Sequence, residues 1–162
     1  MGWHWGWEQT NTGLPFQLSE NRNVTCGWTY SVSASGTFNV AIDMFTSPDP
    51  EGAGDPTEEI MVLLRDVEGS GGGLGSQVAD TNIAGTDWSL WSGTNNVWNV
   101  YQFIRATPSA TGETLNLMEF LNDVVDRGLV PDSKYLLSVE AGSEVFDGSG
   151  TIDTSSFYCT IQ

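Results

Sequence analysis

Carboxyl groups in three predicted strands lie on the face opposite the apolar residues. Successive side chains of a strand point to opposite faces of a sheet, so Glu59 and Met61 share one face of the segment EEIMVLL. By the same alternation, FNVAIDMF presents Asp43, and LLSVEAGSEVF presents Glu140 and Glu144. Two carboxyl groups can flank a glycosidic bond, where one protonates the leaving oxygen and the other attacks the anomeric carbon or activates water. Glu59 and Glu144 fit that chemistry, although two unrelated surface charges among 21 acidic residues explain the same spacing.

The rest of the chain predicts short strands separated by turn-forming residues. NVTCGWTYSVS and GTFNVAIDMFTS flank a predicted turn at Ala34–Gly36 and would form a hairpin. A strand over 59–64 follows, and further strands are predicted within QVADTNIAG, TDWSLWSG, VWNVYQFIRAT, KYLLSVEAGSEVF and IDTSSFYCTIQ. The glycine-rich segment EGSGGGLGS is predicted to be a flexible loop.

One segment, TGETLNLMEFLNDVVDRGLVP, has helical periodicity instead. Its apolar residues recur at helical spacing, glycine follows them and proline prevents continuation, which predicts a helix of about four turns. The residues concerned are Leu115, Met118, Leu121, Val124, Val125, Gly128 and Pro131. Many strands and one late helix indicate an all-β sandwich of two antiparallel sheets with the helix packed on its outer face.

Composition limits the possible partners. At 162 residues the chain is expected to be a single domain, 1–162, and its 21 acidic and five basic residues give a net charge of −16. Nucleic acids and anionic membranes would be repelled, and no apolar run approaches the roughly 20 residues of a membrane span. The same charge suits a halophilic protein or an ordinary acidic secreted one, and both alternatives stay open.

The two cysteines, Cys26 and Cys159, lie in predicted strands far apart in the sequence. A disulfide between them and two buried free thiols are both compatible with this placement. Without a CxxC motif a zinc site is not expected, and the carboxylate chemistry above needs neither a metal nor an organic cofactor. The start of the chain, MGWHWGWE, lacks the basic and apolar parts of a signal peptide.

Several blocks of the sequence resemble glycoside hydrolase family 12, a family of secreted, retaining endo-β-1,4-glucanases with a β-jelly-roll fold. In order they are GWHWGW, GLP, NVAIDMFTSP, EEIMVLL, GSQVA, GTDWSLWSGTNNVWNVYQFIR and YLLSVEAGSEVFDGSG. The resemblance covers essentially the whole chain and is greatest to the prokaryotic branch. It implies a jelly roll acting outside the cell on cellulose, mixed-linkage β-glucan or xyloglucan.

The resemblance also implies roles for individual residues. Glu59 matches the family's nucleophile, Glu144 its general acid/base, and Asp43 an aspartate that hydrogen-bonds and orients the nucleophile. Positions expected to contact the substrate are His4, Trp5, Met61 and Glu140. Glu58 is expected to point to the opposite face or to the strand entrance, as a solvated edge charge, and Trp28 and Trp98 are expected to be structural.

The family's domain has further strands before the GWHWG block, where this chain begins. Sheet edges exposed by their absence would favour a partner or a dimer that covers them. A second hypothesis follows from the same departure, namely a carbohydrate-binding or decoy protein that keeps the jelly roll with weakened or lost turnover.

Overall fold

The computed structural model describes residues 1–4, 7–9, 11–67 and 73–162. Strands dominate this part of the chain, and one α-helix, α1, spans Met118–Asp126. The strands are β1 (Gly2–His4), β2 (Trp7–Gln9), β3 (Phe16–Gln17), β4 (Val24–Ser47), β5 (Glu58–Val67), β6 (Ser76–Ile83), β7 (Thr86–Thr94), β8 (Asn99–Arg105), β9 (Gly112–Asn116), β10 (Tyr135–Gly142) and β11 (Val145–Ile161). A short 3₁₀ turn, Leu18–Glu20, follows β3.

The strands are ordered β2-β1-β10-β4-β5-β8-β7-β6, and every pair along this path is antiparallel except the parallel pair β5 and β8. The 24-residue strand β4 joins two layers, because its first half pairs with β9 and β11 and its second half with β10 and β5. Apolar residues from both halves, including Trp28 and Ile42, belong to one buried cluster. The predicted β-sandwich of the jelly-roll type is therefore confirmed.

The predicted turn at Ala34–Gly36 is wrong, because β4 runs through these residues without interruption. Gly36 lies opposite Gly148 of β11, and its φ of 100° belongs to the left-handed region that favours glycine. A β-carbon at Gly36 would lie 2.2 Å from the carbonyl oxygen of Asp147. This glycine therefore permits a close approach of two strands rather than a turn.

The predicted helix is confirmed, but it is shorter than the sequence pattern indicated. Its expected first turns, Gly112–Asn116, form β9, in which Leu115 lies opposite Cys26 of β4. Leu115 would be buried either in a helix or in the ladder between β9 and β4. The strand forms because the edge of β4 supplies hydrogen-bond partners for the backbone of β9. In α1, Phe120 contacts the rings of Trp88 and Phe103 at centroid distances of 5.0 and 5.1 Å. The helix thus packs on the face of β7 and β8 that is opposite the carboxyl groups.

Cys26 and Cys159 form a disulfide between directly opposed positions of β4 and β11. Of the two alternatives left by the sequence, the structure therefore has the disulfide. The covalent link joins the beginning of β4 to the end of the last strand, across a sequence separation of 133. Among the described residues, no helix has the length and apolar character required to traverse a bilayer.

Candidate active site

Three neighbouring strands bring carboxyl groups together on one sheet face. Glu140 of β10 lies opposite Asp43 of β4, and Asp43 lies opposite Met61 of β5, two residues from Glu59. Directly opposed residues have β-carbons about 4.5–5.5 Å apart, and diagonal neighbours about 7–8 Å. Under these groups lies a small apolar cluster, separate from the main core: Ala41, Met61, Leu63 and Val100. The predicted shared face of Asp43, Glu59 and Glu140 is confirmed.

Glu144 reaches the site in a different way. The sequence predicted that it would continue the strand of Glu140, but β10 ends at Gly142 and β11 begins at Val145, so Glu144 lies in the link between them. Its position is fixed by Asn39 of β4, which is fully buried. The side chain of Asn39 donates to Glu144 Oε2 at 2.6 Å and accepts from the Glu144 backbone N–H at 3.1 Å.

Sequence reasoning did not identify Asn39 as a site residue. The available signal was its place four residues before Asp43, which puts both side chains on one face of β4. The backbone N–H of Asn39 also donates to the Glu144 carbonyl at 3.0 Å. Because the Asn39 side-chain oxygen is occupied by a backbone donor, its NH₂ group must be the one that faces the glutamate.

Trp98, expected to be structural, contacts the predicted nucleophile. Its indole N–H donates to Glu59 Oε2 at 2.8 Å. The ring also meets Phe45 edge-on at a centroid distance of 6.2 Å, and Phe45 lies opposite Glu59 in the ladder between β4 and β5. Trp98 is therefore part of the site, whereas Trp28 is buried in the main core as expected.

Burial and mutual repulsion perturb two of the acids. Burial raises the pKa of Asp43 well above its ordinary value, and the charges of Glu59, Glu144 and Glu140 add to the effect. Burial likewise raises the pKa of Glu59, as do Glu144 and Glu140, while the hydrogen bond from Trp98 opposes the rise. Perturbations of this kind are typical of catalytic sites, because several like charges in a partly desolvated place cannot all ionise freely.

The predicted hydrogen bond between Asp43 and Glu59 stays a prediction. Asp43 Oδ1 is buried and has no hydrogen-bond partner among the described residues. Two ionised carboxylates can only accept, so a bond between them requires that one holds a proton. The direction of the pKa shift of Asp43 favours Asp43 as that proton carrier.

Glu58 is not the solvated charge that the sequence predicted. Glu58 is only 5% exposed. Nζ of Lys134, the sole lysine of the chain, lies 3.0 Å from Glu58 Oε1 and forms a salt bridge with it. The hydroxyls of Thr46 and Thr57 each donate to Glu58 Oε2 at 2.7 Å. By strand alternation Glu58 points to the core side of β5, where a carboxylate needs partners to be tolerated.

The expected substrate-contacting residues are described to different extents. Met61 lies on the site face but is 3% exposed, and Gln102 Nε2 lies 3.5 Å from its sulfur. Glu140 accepts a 3.1 Å hydrogen bond from the hydroxyl of Ser138. Trp5 lies outside the described residues, as does the side chain of His4. Within the ranges that are described, no group of three or more His, Cys, Asp or Glu could hold a metal ion.

A β-sandwich with several carboxyl groups gathered on one sheet face fits the glycoside hydrolase class, whose chemistry uses two such groups. The chain belongs to glycosyl hydrolase family 12, whose model matches residues 5–162. This finding agrees with the family resemblance of the sequence blocks.

Among curated relatives, the chain is 34% identical over 170 residues to endoglucanase S of Pectobacterium parmentieri, covering 99% of this chain and 63% of that protein. It is 33% identical over 179 residues to the xyloglucan-specific endo-beta-1,4-glucanase A of Emericella nidulans, covering 100% of this chain and 74% of the relative. The chain thus spans roughly two thirds of the length of these relatives.

Solved structures give the same family. The native family 12 xyloglucanase from Bacillus licheniformis superposes with a TM-score of 0.92 at 33% identity, covering 99% of this chain and 72% of that one. Endoglucanase cel12A from Rhodothermus marinus superposes with a TM-score of 0.88 at 33% identity, covering 99% of this chain and 71% of that one.

Proposed function

We propose that this protein is an endo-acting β-1,4-glucan hydrolase that works by retaining double displacement. The observation that carries the proposal is the clustering of Asp43, Glu59, Glu140 and Glu144, in which the charges of Glu140 and Glu144 raise the pKa of Asp43 and of Glu59. Family membership and the two relatives named for endoglucanase and xyloglucanase activity support the choice of β-1,4-glucans.

The first half of the reaction assigns a role to each glutamate. The carboxylate of Glu59 attacks the anomeric carbon, and the glycosidic C–O bond breaks as Glu144 passes its proton to the leaving oxygen. A covalent glycosyl–Glu59 ester results. Asp43, protonated, donates a hydrogen bond to Glu59 and prevents a second negative charge beside it.

In the second half, Glu144 acts as the base. It takes a proton from water as that water attacks the anomeric carbon, and the ester bond to Glu59 breaks. The configuration at the anomeric carbon is retained because it is inverted twice. Neither step requires a metal or an organic cofactor.

Three further proposals concern the substrate and the setting. Cellulose, mixed-linkage β-glucan and xyloglucan are the candidate substrates, with Met61, Glu140, His4 and Trp5 at the sugar-contacting positions. The protein acts outside the cell, where these polymers occur, and residues 1–162 work as one domain.

The proposal is tested by reducing-sugar release from barley β-glucan, carboxymethylcellulose and xyloglucan at several salt concentrations. We expect turnover of at least one glucan, its loss in Glu59→Gln, and β-configured product in NMR spectra taken early in the reaction. Azide should restore turnover to Glu59→Ala by forming an α-glycosyl azide, which a merely misfolded variant would not do. Glucan binding without release would instead identify a carbohydrate-binding protein.

We also propose that another strand covers the outer edge of β11, from a partner or from a second copy of the chain. Among the described residues β11 pairs only with β4. Its exposed apolar side chains are unusual for a free edge: Val145, Phe146, Phe157 and Tyr158. Sedimentation velocity at low and high salt tests self-association, since screening of the net charge of −16 should favour it. A monomer at every salt concentration would exclude the second copy.

A further inference from the structure

We infer that Trp98 is a positioning residue, and that its indole N–H decides which carboxyl group of the cluster acts as the nucleophile. The inference rests on the proposed function, because it assigns to Trp98 a task in the same reaction. Its physical basis is the 2.8 Å bond from Trp98 Nε1 to Glu59 Oε2.

The backbone of Trp98 is held in place by a polar turn immediately before β8. Asn95 Oδ1 accepts the backbone N–H groups of Val97 and Trp98 at 3.0 and 2.9 Å. The hydroxyl of Thr94 donates to the carbonyl of Trp98 at 2.9 Å. One residue later, the N–H of Asn99 donates to the carbonyl of Thr57, which precedes β5 and is two residues before Glu59. These bonds tie the tryptophan to the strand that carries its acceptor.

Packing restricts the indole ring as well. One side of it contacts the apolar cluster formed by Ala41, Met61, Leu63 and Val100. Phe45, which lies opposite Glu59 in the ladder between β4 and β5, meets the indole edge-on at 86°. The N–H is therefore directed by contacts that do not depend on the carboxylate itself.

An indole N–H can donate but never accept a hydrogen bond. It therefore favours the ionised form of its partner, because a bond to a carboxylate is stronger than a bond to the neutral acid. Among the described residues, the acids that surround Glu59 are Asp43 on β4, Glu140 on β10 and Glu144 in the link to β11. The charges of Glu144 and Glu140 disfavour ionisation of Glu59, and the hydrogen bond from Trp98 opposes them.

The other acids of the cluster have different partners. Asn39 donates to Glu144 and the hydroxyl of Ser138 donates to Glu140, whereas Asp43 Oδ1 has no partner within the part of the chain that the structure describes. Asp43 is the group expected to carry a proton, and Glu59 is the group expected to be charged. Burial is the main reason that the pKa of Asp43 is raised, and the indole of Trp98 adds to the asymmetry by stabilising the ionised form of Glu59 alone.

The test is Trp98→Phe, which keeps an aromatic ring and removes the donor. We expect the acidic limb of the kcat/KM profile to move up by about one pH unit. At a pH below the acidic limbs of both the wild type and the variant, this shift is equivalent to a tenfold loss of kcat/KM. At a pH above the acidic limbs of both enzymes, their kcat/KM values should differ by less than about threefold, since Glu59 is then ionised in both. An acidic limb that stays where it is in the wild type would overturn the inference.

Trp28→Phe is the matched control. It also removes an indole N–H, but the acceptor there is the hydroxyl of Thr154 at 3.0 Å, in the layer formed by β4 and β11. Loss of stability alone would affect both variants, whereas only Trp98→Phe should shift the limb. Equal shifts in the two variants would contradict a specific role for Trp98.

A second measurement needs no catalytic activity. In ¹⁵N-labelled wild-type protein, the Trp98 indole resonance should titrate with the ionisation of Glu59, and in Glu59→Gln that titration should disappear. A resonance that ignores both pH and Glu59→Gln would refute the inference even in an active enzyme. If no glucan is hydrolysed, the proposed function fails, and the titration still decides whether Trp98 senses the charge of Glu59.

Discussion

Replacing Asn39 with alanine should separate proton donation from the rest of catalysis. Asn39 is fully buried and binds Glu144 through both ends of its amide, at 2.6 Å to the carboxyl and 3.1 Å to the backbone. Glu144 lies outside the strands, so these bonds replace the ladder that holds the other acids. Without them the carboxyl group can turn away from the leaving oxygen while the nucleophile stays in place.

The size of the effect follows from the bond that is lost. As Glu144 passes its proton to the leaving oxygen it becomes a carboxylate, and a hydrogen bond to a charged group contributes about 1.5–3 kcal/mol. Because about 1.4 kcal/mol corresponds to a tenfold change in rate, kcat on a glucan should fall by about 10- to 150-fold in Asn39→Ala. KM should change little, since Asn39 is buried and makes no contact with the sugar.

The assay compares two leaving groups. A glucan departs as a sugar alkoxide and needs the proton of Glu144, whereas an aryl cellobioside with an acidic phenol departs almost unaided. We therefore expect the full loss on the glucan and a loss below about threefold in the burst of phenol from the aryl substrate. Asn82→Ala is the matched control, because Asn82 makes an amide-to-carboxylate bond of the same 2.6 Å length to Asp87, away from the site. Equal losses on both substrates would refute the orienting role of Asn39.

Three other perturbations have defined outcomes. Asp43→Asn should stabilise the fold at neutral pH by more than about 1 kcal/mol, because asparagine cannot ionise in this buried, acidic place and one pKa unit corresponds to about 1.4 kcal/mol, while it lowers activity. Since the folded-state pKa of Asp43 is raised, wild-type stability falls as pH rises from 3.8 through that pKa; the gain should therefore vanish below pH 3.8 in urea titrations, and a gain that persists there would contradict the assignment. Reduction of the Cys26–Cys159 disulfide, which spans a separation of 133 residues, should cost up to about 5 kcal/mol in guanidinium unfolding, and a loss under about 1 kcal/mol would mean that the reduced chain is already constrained. Lys134→Met should cost about 3–5 kcal/mol by leaving Glu58 buried and unpaired, and the double variant with Glu58→Gln should recover most of that loss; additive losses would exclude the coupling.

Strand alternation predicted the site face well where the strands are regular. Asp43 and Glu59 needed only a period of two and the apolar residues beside them to be placed on the same face. Glu58 was misjudged because the same rule places it on the core side, where only a partner distant in sequence makes a charge tolerable. That partner, Lys134, is 76 residues away, and nothing in the local pattern around either residue indicates the pairing.

The errors in the fold have a related cause. Ala34–Gly36 has the composition of a turn, yet the approach of β11 makes a glycine necessary inside a strand. Leu115 satisfies both a helical and an alternating pattern, and the pairing of β9 with β4 decides between them. In both places a tertiary contact overrides a local preference, and sequence periodicity contains no information about that contact.

The residues missed by sequence reasoning, Asn39 and Trp98, are those that act on another side chain. A catalytic carboxyl group is recognisable because its chemistry requires an acid, but the donor that orients it can be any N–H or O–H that geometry delivers. Here one donor is an amide inside β4 and the other an indole in the turn before β8. Each donor lies on a different element from the glutamate that accepts its hydrogen bond, so each glutamate has a contact that the other lacks. A site with four neighbouring carboxyl groups needs such separate contacts, because the nucleophile must be ionised while the general acid is protonated.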